Sequence, residues 1–160
     1  MAETTVHNLE TRADCAVLTL RIGLAFIWIW ESLGTKFLFD PDRSLALLRG
    51  TNLFGDLVIP ALNLICAFEL MIGVMLLIGL WVRPLAWVQI VVMAVFMVVI
   101  ASVYPDLYKE PTAPIAKNIP IMAAALATWF LGPDSRSLDA RRKRAMDTGE
   151  TLSSEGESTA

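Results

Sequence analysis

The sequence predicts an all-α integral membrane protein: a four-transmembrane-helix bundle with a short interfacial helix between helices 1 and 2. Three observations predict it. The chain has 160 residues, 56% of them hydrophobic, and a mean hydropathy of +0.58, well above a soluble globular domain. Four stretches, residues 16–34, 57–81, 84–104 and 115–131, approach the roughly 20 apolar residues that carry a helix across a hydrocarbon core of about 30 Å. These stretches mostly lack the polar face of a soluble amphipathic helix.

Taken in order, residues 1–14 are a polar, acidic leader without the positive flank of a signal peptide, so the first span reads as a retained helix. Thr11 or Asp14 suits its N-cap. The span carries Arg21 about two turns inside and Glu31 near its far end. Arg21, Trp28 and Glu31 are spaced by seven and three residues and share one helix face. Gly34, Lys36 and the Asp40-Pro41-Asp42 turn close it. The run DRSLALLR at residues 42–49 alternates apolar and charged positions, as a helix lying on the membrane interface does. Gly50, Asn52 and Gly55 break it.

The second span starts near Leu57, tolerates Pro60 in its first turn, and carries Asn63 and Glu69. Gly73 and Gly79 are small positions that permit close helix contact. Trp81 to Pro84 is a tight connection into the third span, whose one strongly polar interior residue is Gln89. Residues 106–114 read as a loop. The fourth span carries Lys117, Asn118 and Pro120 in its first turns and ends at Gly132-Pro133. Residues 134–147 are basic, and the Ser-, Thr-, Glu- and Gly-rich end is expected to be disordered. The chain thus divides into a leader (1–14), a membrane domain (15–133) and a basic, then disordered, tail (134–160).

Charge and motif content narrow the function. The net charge of −3 sits mostly in tails and loops, and no basic patch interleaved with aromatics suggests nucleic acid. The side holding both termini and the 81–84 turn carries Arg12, Arg83 and five tail cations. The opposite loops carry Lys36, Arg43, Arg49 and Lys109, offset by acids. The positive-inside rule therefore puts both termini in the cytoplasm of a cell (inner) membrane. Cys15 and Cys66 lie at different depths and are expected as unpaired thiols. His7 is alone in the leader, and no CxxC, HExxH or phosphate-binding glycine loop occurs. No tightly bound metal or other cofactor is expected.

Charges inside a membrane cost roughly 2.5–3.5 kcal/mol each on insertion scales, so they should face inward and pair. Helix rise sorts them into two layers. Arg21, Glu69 and Gln89 form the inner one, and Glu31, Lys36, Lys117 and Asn118 the outer one. Two readings stand beside each other. Arg21–Glu69 and Glu31–Lys117 are clamps that fix helix packing, or the layers line a polar pocket for a quinone headgroup or another small ligand. Trp28, Glu31, Lys117 and Asn118 are the ligand-facing candidates, with Lys36 read as snorkelling to the interface. Trp81 and Trp129 fit an interfacial aromatic belt, and Met71, Met75, Met93 and Met97 an adaptable core.

Several segments together carry a resemblance: RIGLAFIWIWESLGTKFL at residues 21–38, FELMIGVMLLIGLWVRPLAW at 68–87 and LGPDSRSLDARR at 131–142. They resemble DoxX-family membrane proteins. SLALLRG at 44–50 and APIAKNIPIMAA at 113–124 look closer to the DoxX-like branch sometimes fused to, or named beside, short-chain epimerases. The resemblance implies a four-helix membrane bundle and a link to redox work, since the family takes its name from a membrane subunit of a thiosulfate:quinone oxidoreductase. The leading expectation is a non-metal subunit or accessory of a quinone-linked membrane redox system. Its expected partners are membrane lipid, a redox protein and further copies of itself. A scaffold without chemistry is the alternative, and a small-solute transporter a third option.

Overall fold

A chain in hydrocarbon must satisfy every backbone N–H and C=O from within, which leaves helices or a closed barrel. This chain is helical. The computed structural model describes the backbone of residues 2–39, 41–108 and 117–158, and their side chains except at 2–7, 35, 37, 107–108 and 149–158. In order come α1 (Ala2–Ile29), a π-helical segment (Trp30–Phe39), α2 (Pro41–Gly50), α3 (Val58–Ile78), α4 (Val82–Val103), α5 (Asn118–Leu131) and α6 (Leu138–Ser158). Single 3-10 turns, Gly55–Leu57 and Pro105–Tyr108, precede α3 and follow α4.

Three helical stretches, Asn8–Gly34, Gly55–Ile78 and Val82–Val103, are long and apolar enough to cross a membrane, and Asn118–Leu131 is a shorter apolar helix. Their most apolar windows bury only 28, 28 and 22% of their residues inside the protein. Water would not tolerate so much outward apolar surface, so lipid is the solvent of this fold. Phe26, Leu64, Val98 and Phe130 are among the large side chains it covers. The protein is a multi-pass membrane protein.

Inside the bundle, α3 packs chiefly on α1, and α4 on α5, while α5 also meets α1. α3 and α4 touch each other only slightly. Leu24 and Trp28 of α1, Ile72 and Leu76 of α3, Met93 of α4 and Ala125 of α5 form the shared core. The contact of α1 with α3 depends on Gly73. A Cβ there would lie 2.6 Å from Ile29 Cγ1 and 3.1 Å from the Ala25 carbonyl oxygen.

The end of the bundle that carries the termini is closed by a clip from the chain after α5. Arg21 is 3% exposed. Its Nε donates to Asp134 Oδ2 at 2.7 Å and its Nη1 to the carbonyls of Leu76 and Leu77 at 2.6 and 2.7 Å. The guanidinium therefore binds a carboxylate and also donates to carbonyls in the last turn of α3, one of which, Leu76, accepts from Gly79 N as well. Gly79 ends that helix with φ 71°, a conformation that glycine adopts without strain. The Asp139 carboxylate accepts from the N–H groups of Trp81 and Val82 at 3.0 and 2.8 Å, capping α4. Ser137 Oγ accepts from Ala140 N at 3.2 Å and starts α6.

Several expectations change here. Arg21 pairs with Asp134 and not with Glu69, so the Arg21–Glu69–Gln89 layer does not form. Glu69 stands seven residues from Leu76, about 10 Å of helix rise, beyond the guanidinium's level. Asp14 lies within α1 and caps nothing. Its carboxylate accepts from Ser135 N and Oγ at 2.5 and 2.6 Å. Gly79 is a helix terminus against Ser137, not a helix-contact position. The leader continues α1, and the tail is helical to Ser158. Ala, Arg, Lys and Met, strong helix formers, dominate its described first half. Both cysteines are free thiols. Residue 40, most of the expected 106–114 loop and positions 115–116 lie outside the described residues.

Two substitutions test this frame. Asp134→Ala leaves a buried guanidinium unpaired and should cost about 3–5 kcal/mol of stability. Gly73→Ala forces α1 and α3 apart and should cost about 1–3 kcal/mol. Both are checked by denaturant titration in detergent micelles. A wild-type midpoint for either variant contradicts the packing described.

Candidate functional site

Among the described residues, the opposite end of the bundle carries no such clip. There α1 gives way to the π-helical segment. In an α-helix, residues five apart sit about 140° from one another around the axis. With i→i+5 bonding they stack about one turn apart. Glu31 and Lys36 are five apart, and both line one cavity. The ring of Trp30 packs closely over Gly34, where a Cβ would lie 3.0 Å from Trp30 Cδ2.

The cavity holds about 480 Å³, within the range of small-ligand sites. α2 covers one side with Arg43, Ser44 and Leu47, while Met93 and Phe96 of α4 and Ile121 of α5 supply apolar wall. Tyr104, after α4, holds α2 in place. Its hydroxyl lies 3.3 Å from the carbonyl oxygens of both Ala46 and Leu47. A Cβ on Gly50 would lie 1.7 Å from that hydroxyl oxygen, so Gly50 makes room for the contact.

Among the described residues, two ion pairs stand in the cavity wall, and they differ. Lys36 Nζ donates to Glu69 Oε1 and Oε2 at 2.6 and 2.5 Å, with side chains only 13 and 10% exposed. Lys117 Nζ donates to Glu31 Oε1 at 2.5 Å, with side chains 53 and 26% exposed. The first is an interior pair and the second a rim pair. Deeper in the bundle, the Trp28 indole N–H donates to Gln89 Oε1 at 2.8 Å. The Gln89 amide in turn donates to the Leu85 carbonyl at 3.1 Å. Gln89 is fully buried and fixes the indole's orientation. Ser32 Oγ donates to the Cys66 carbonyl at 2.7 Å, tying the π-helical segment to α3.

The structure brings Trp28, Glu31, Lys117 and Asn118 to this one cavity, as the sequence grouped them. It adds Glu69 and Lys36, which the sequence had placed in an inner layer and at the lipid interface. Lys36 does not snorkel; it turns inward to Glu69. Gln89 serves Trp28, and Arg21 belongs to the far end. Asp134 and Asp139 were missed as functional side chains. The signal for them was the SLD run and the need of a buried arginine for a carboxylate. Among the described residues, no group of three His, Cys, Asp or Glu side chains is placed to hold a metal ion.

Chemically, the arrangement offers a chamber with an apolar wall, an indole, a neutral amide, two ion pairs and, on the α2 side, the Arg43 guanidinium. The two pairs should differ in stability terms. Lys36→Met leaves Glu69 uncompensated in the interior and should cost about 3–5 kcal/mol. Lys117→Met breaks an exposed pair and should cost about 0–1 kcal/mol. Thermal unfolding of the two variants side by side checks the contrast, and equal losses contradict it.

Known proteins were compared with the whole chain. A family model described as the DoxX-like family matches residues 25–126, more than half of the sequence. No curated protein and no solved structure matches it. The matched region runs from within the first span, through the π-helical segment, α2, α3 and α4, into α5, and contains every residue of the cavity described above. This chain belongs to the DoxX-like family of membrane proteins.

Proposed function

We propose that this DoxX-like protein is a non-metal accessory of a quinone-linked membrane redox system, and that it holds the quinone in the cavity beneath α2. The observation that carries the reading is the cavity itself: about 480 Å³, walled by apolar residues of α4 and α5, with Trp28, Glu31, Lys117 and Asn118 converging on it. A quinone has an apolar ring and tail and two carbonyl acceptors, which this mixture of groups suits. The redox association implied by the family resemblance agrees with it. Glu31 and Glu69, both in the cavity wall, are the groups placed to exchange protons when a quinone is reduced by a partner protein.

In this reading the protein sits in the inner membrane with both termini cytoplasmic, supported by the excess of Lys and Arg on the termini side. The electron-carrying groups belong to the redox partner. A small bundle with so much outward apolar surface also suits association with that partner or with a second copy. One observation favours a second reading, a scaffold without chemistry. Among the described residues, no fully buried side-chain N or O atom lacks a hydrogen-bond partner, as expected of charges that serve packing alone.

Filling the cavity separates the two. Ile121→Trp should abolish binding of decylbenzoquinone to the full chain in nanodiscs while leaving its thermal unfolding within a few degrees of wild type. Undiminished binding in that variant would place the ligand elsewhere. No binding to the wild-type protein would leave the scaffold reading standing.

A further inference from the structure

The polar groups in the cavity wall are not equally engaged. Lys36 is held by both oxygens of Glu69, Lys117 by Glu31, and the Trp28 N–H by Gln89. Asn118 differs from them. It is 7% exposed and lines the cavity, and among the described residues its carboxamide has no hydrogen-bond partner. No fully enclosed side-chain polar atom among those residues lacks a partner. The amide N and O of Asn118 are therefore not fully enclosed, and the open space that this residue lines is the cavity. A neutral amide more than nine-tenths buried thus aims an unused donor and an unused acceptor into the chamber.

We propose that Asn118 is the group that selects the ligand's head, and that the ligand is a neutral amphiphile presenting a carbonyl, not a fatty-acid carboxylate or a lipid phosphate. The inference rests on the reading that this cavity holds a quinone-type ligand, and it names the chemistry that the site accepts. An anion held by Lys36 or Lys117 would draw it away from its carboxylate, and the third cation of the lining, Arg43, lies on the exposed side of α2. Glu69 or Glu31 would then stand uncompensated in or beside hydrocarbon, the arrangement lipid penalises most. A neutral carbonyl accepts from Asn118 Nδ2 and leaves every charge pair intact. A neighbouring hydroxyl on the same ligand, as in a reduced quinone, can donate to Asn118 Oδ1. Phe96 and Ile121 supply the apolar surface for the rest of the molecule. Asn118 thereby sets specificity by leaving its own amide unpaired when the wrong ligand enters.

The test uses the full chain in phosphatidylcholine nanodiscs and three probes: decylbenzoquinone, the redox-inert ketone decanophenone, and dodecanoate. Calorimetric isotherms should show both neutral carbonyl compounds binding and dodecanoate failing to compete. Asn118→Leu should weaken both neutral probes about tenfold, the worth of one or two hydrogen bonds, without lowering the Tm. Removing an unpaired amide in favour of an apolar group of similar size is neutral or stabilising, whereas a structural amide would lower the Tm. Should Asn118→Leu not fold, Asn118→Ala removes the donor and the acceptor without adding bulk or charge, and is expected to lose the same affinity.

The outcomes separate the two claims. Quinone binding that is indifferent to Asn118 overturns this inference and leaves the quinone site standing. Decanophenone binding through Asn118 with no quinone binding keeps the inference and removes the quinone reading. Dodecanoate binding more tightly than either neutral probe, with loss in Lys117→Met, overturns the inference in favour of an anion site. Failure of both neutral probes on the wild-type chain overturns both claims.

Discussion

An ionised side chain inside hydrocarbon has no water to solvate it, and the rest of this structure depends on how that constraint is met. Arg21, Glu69 and Lys36 all lie in or beside membrane-length segments, where each unpaired charge would cost several kcal/mol. The protein meets the constraint with two different devices at its two ends. At the termini end, Arg21 is drawn into a clip with Asp134 and the last carbonyls of α3. That contact fixes where α3 stops and where the chain after α5 folds back. Asp139 then caps α4 from the same segment. One guanidinium therefore ties three chain segments together, and Asp139 adds α4 as the fourth.

At the other end, among the described residues, the charges are not sealed into a clip. The Lys36–Glu69 and Lys117–Glu31 pairs are spread along the wall of a chamber, one interior and one at the rim. The widened winding of Trp30–Phe39 belongs to this end. A bundle that needed its charges only as fasteners could have used the compact solution already present at the termini end. The open arrangement, with Asn118 facing the space, is what sets this end apart.

Much of this was legible in the sequence, for physical reasons that also mark its limits. The apolar spans follow from runs of apolar residues, because lipid imposes one sign of preference on each, whereas the helical leader and α6 lie outside those runs. Trp28, Glu31, Lys117 and Asn118 could be grouped because polar side chains at similar depth must all turn inward. Their pairing could not. Lys36 meets Glu69 only because residues 30–39 wind as a π-helix, and a 3.6-residue period points Lys36 away from Glu31's side. Asp134 escaped notice because it follows α5 in a segment that composition assigns to the polar tail, 113 positions from Arg21. Gly50 looked like a helix breaker, and its need for space beside Tyr104 is a tertiary fact.

The most direct test of the central claim, that one end is a fastener and the other a ligand chamber, is native mass spectrometry of the protein extracted gently from its own membranes. Co-purifying chains and small molecules are read together. The account predicts a neutral quinone-type molecule at one per chain, accompanied by a flavin- or metal-bearing protein. Recovery of the chain with bulk lipid alone would contradict it and leave the charge pairs at both ends as fasteners.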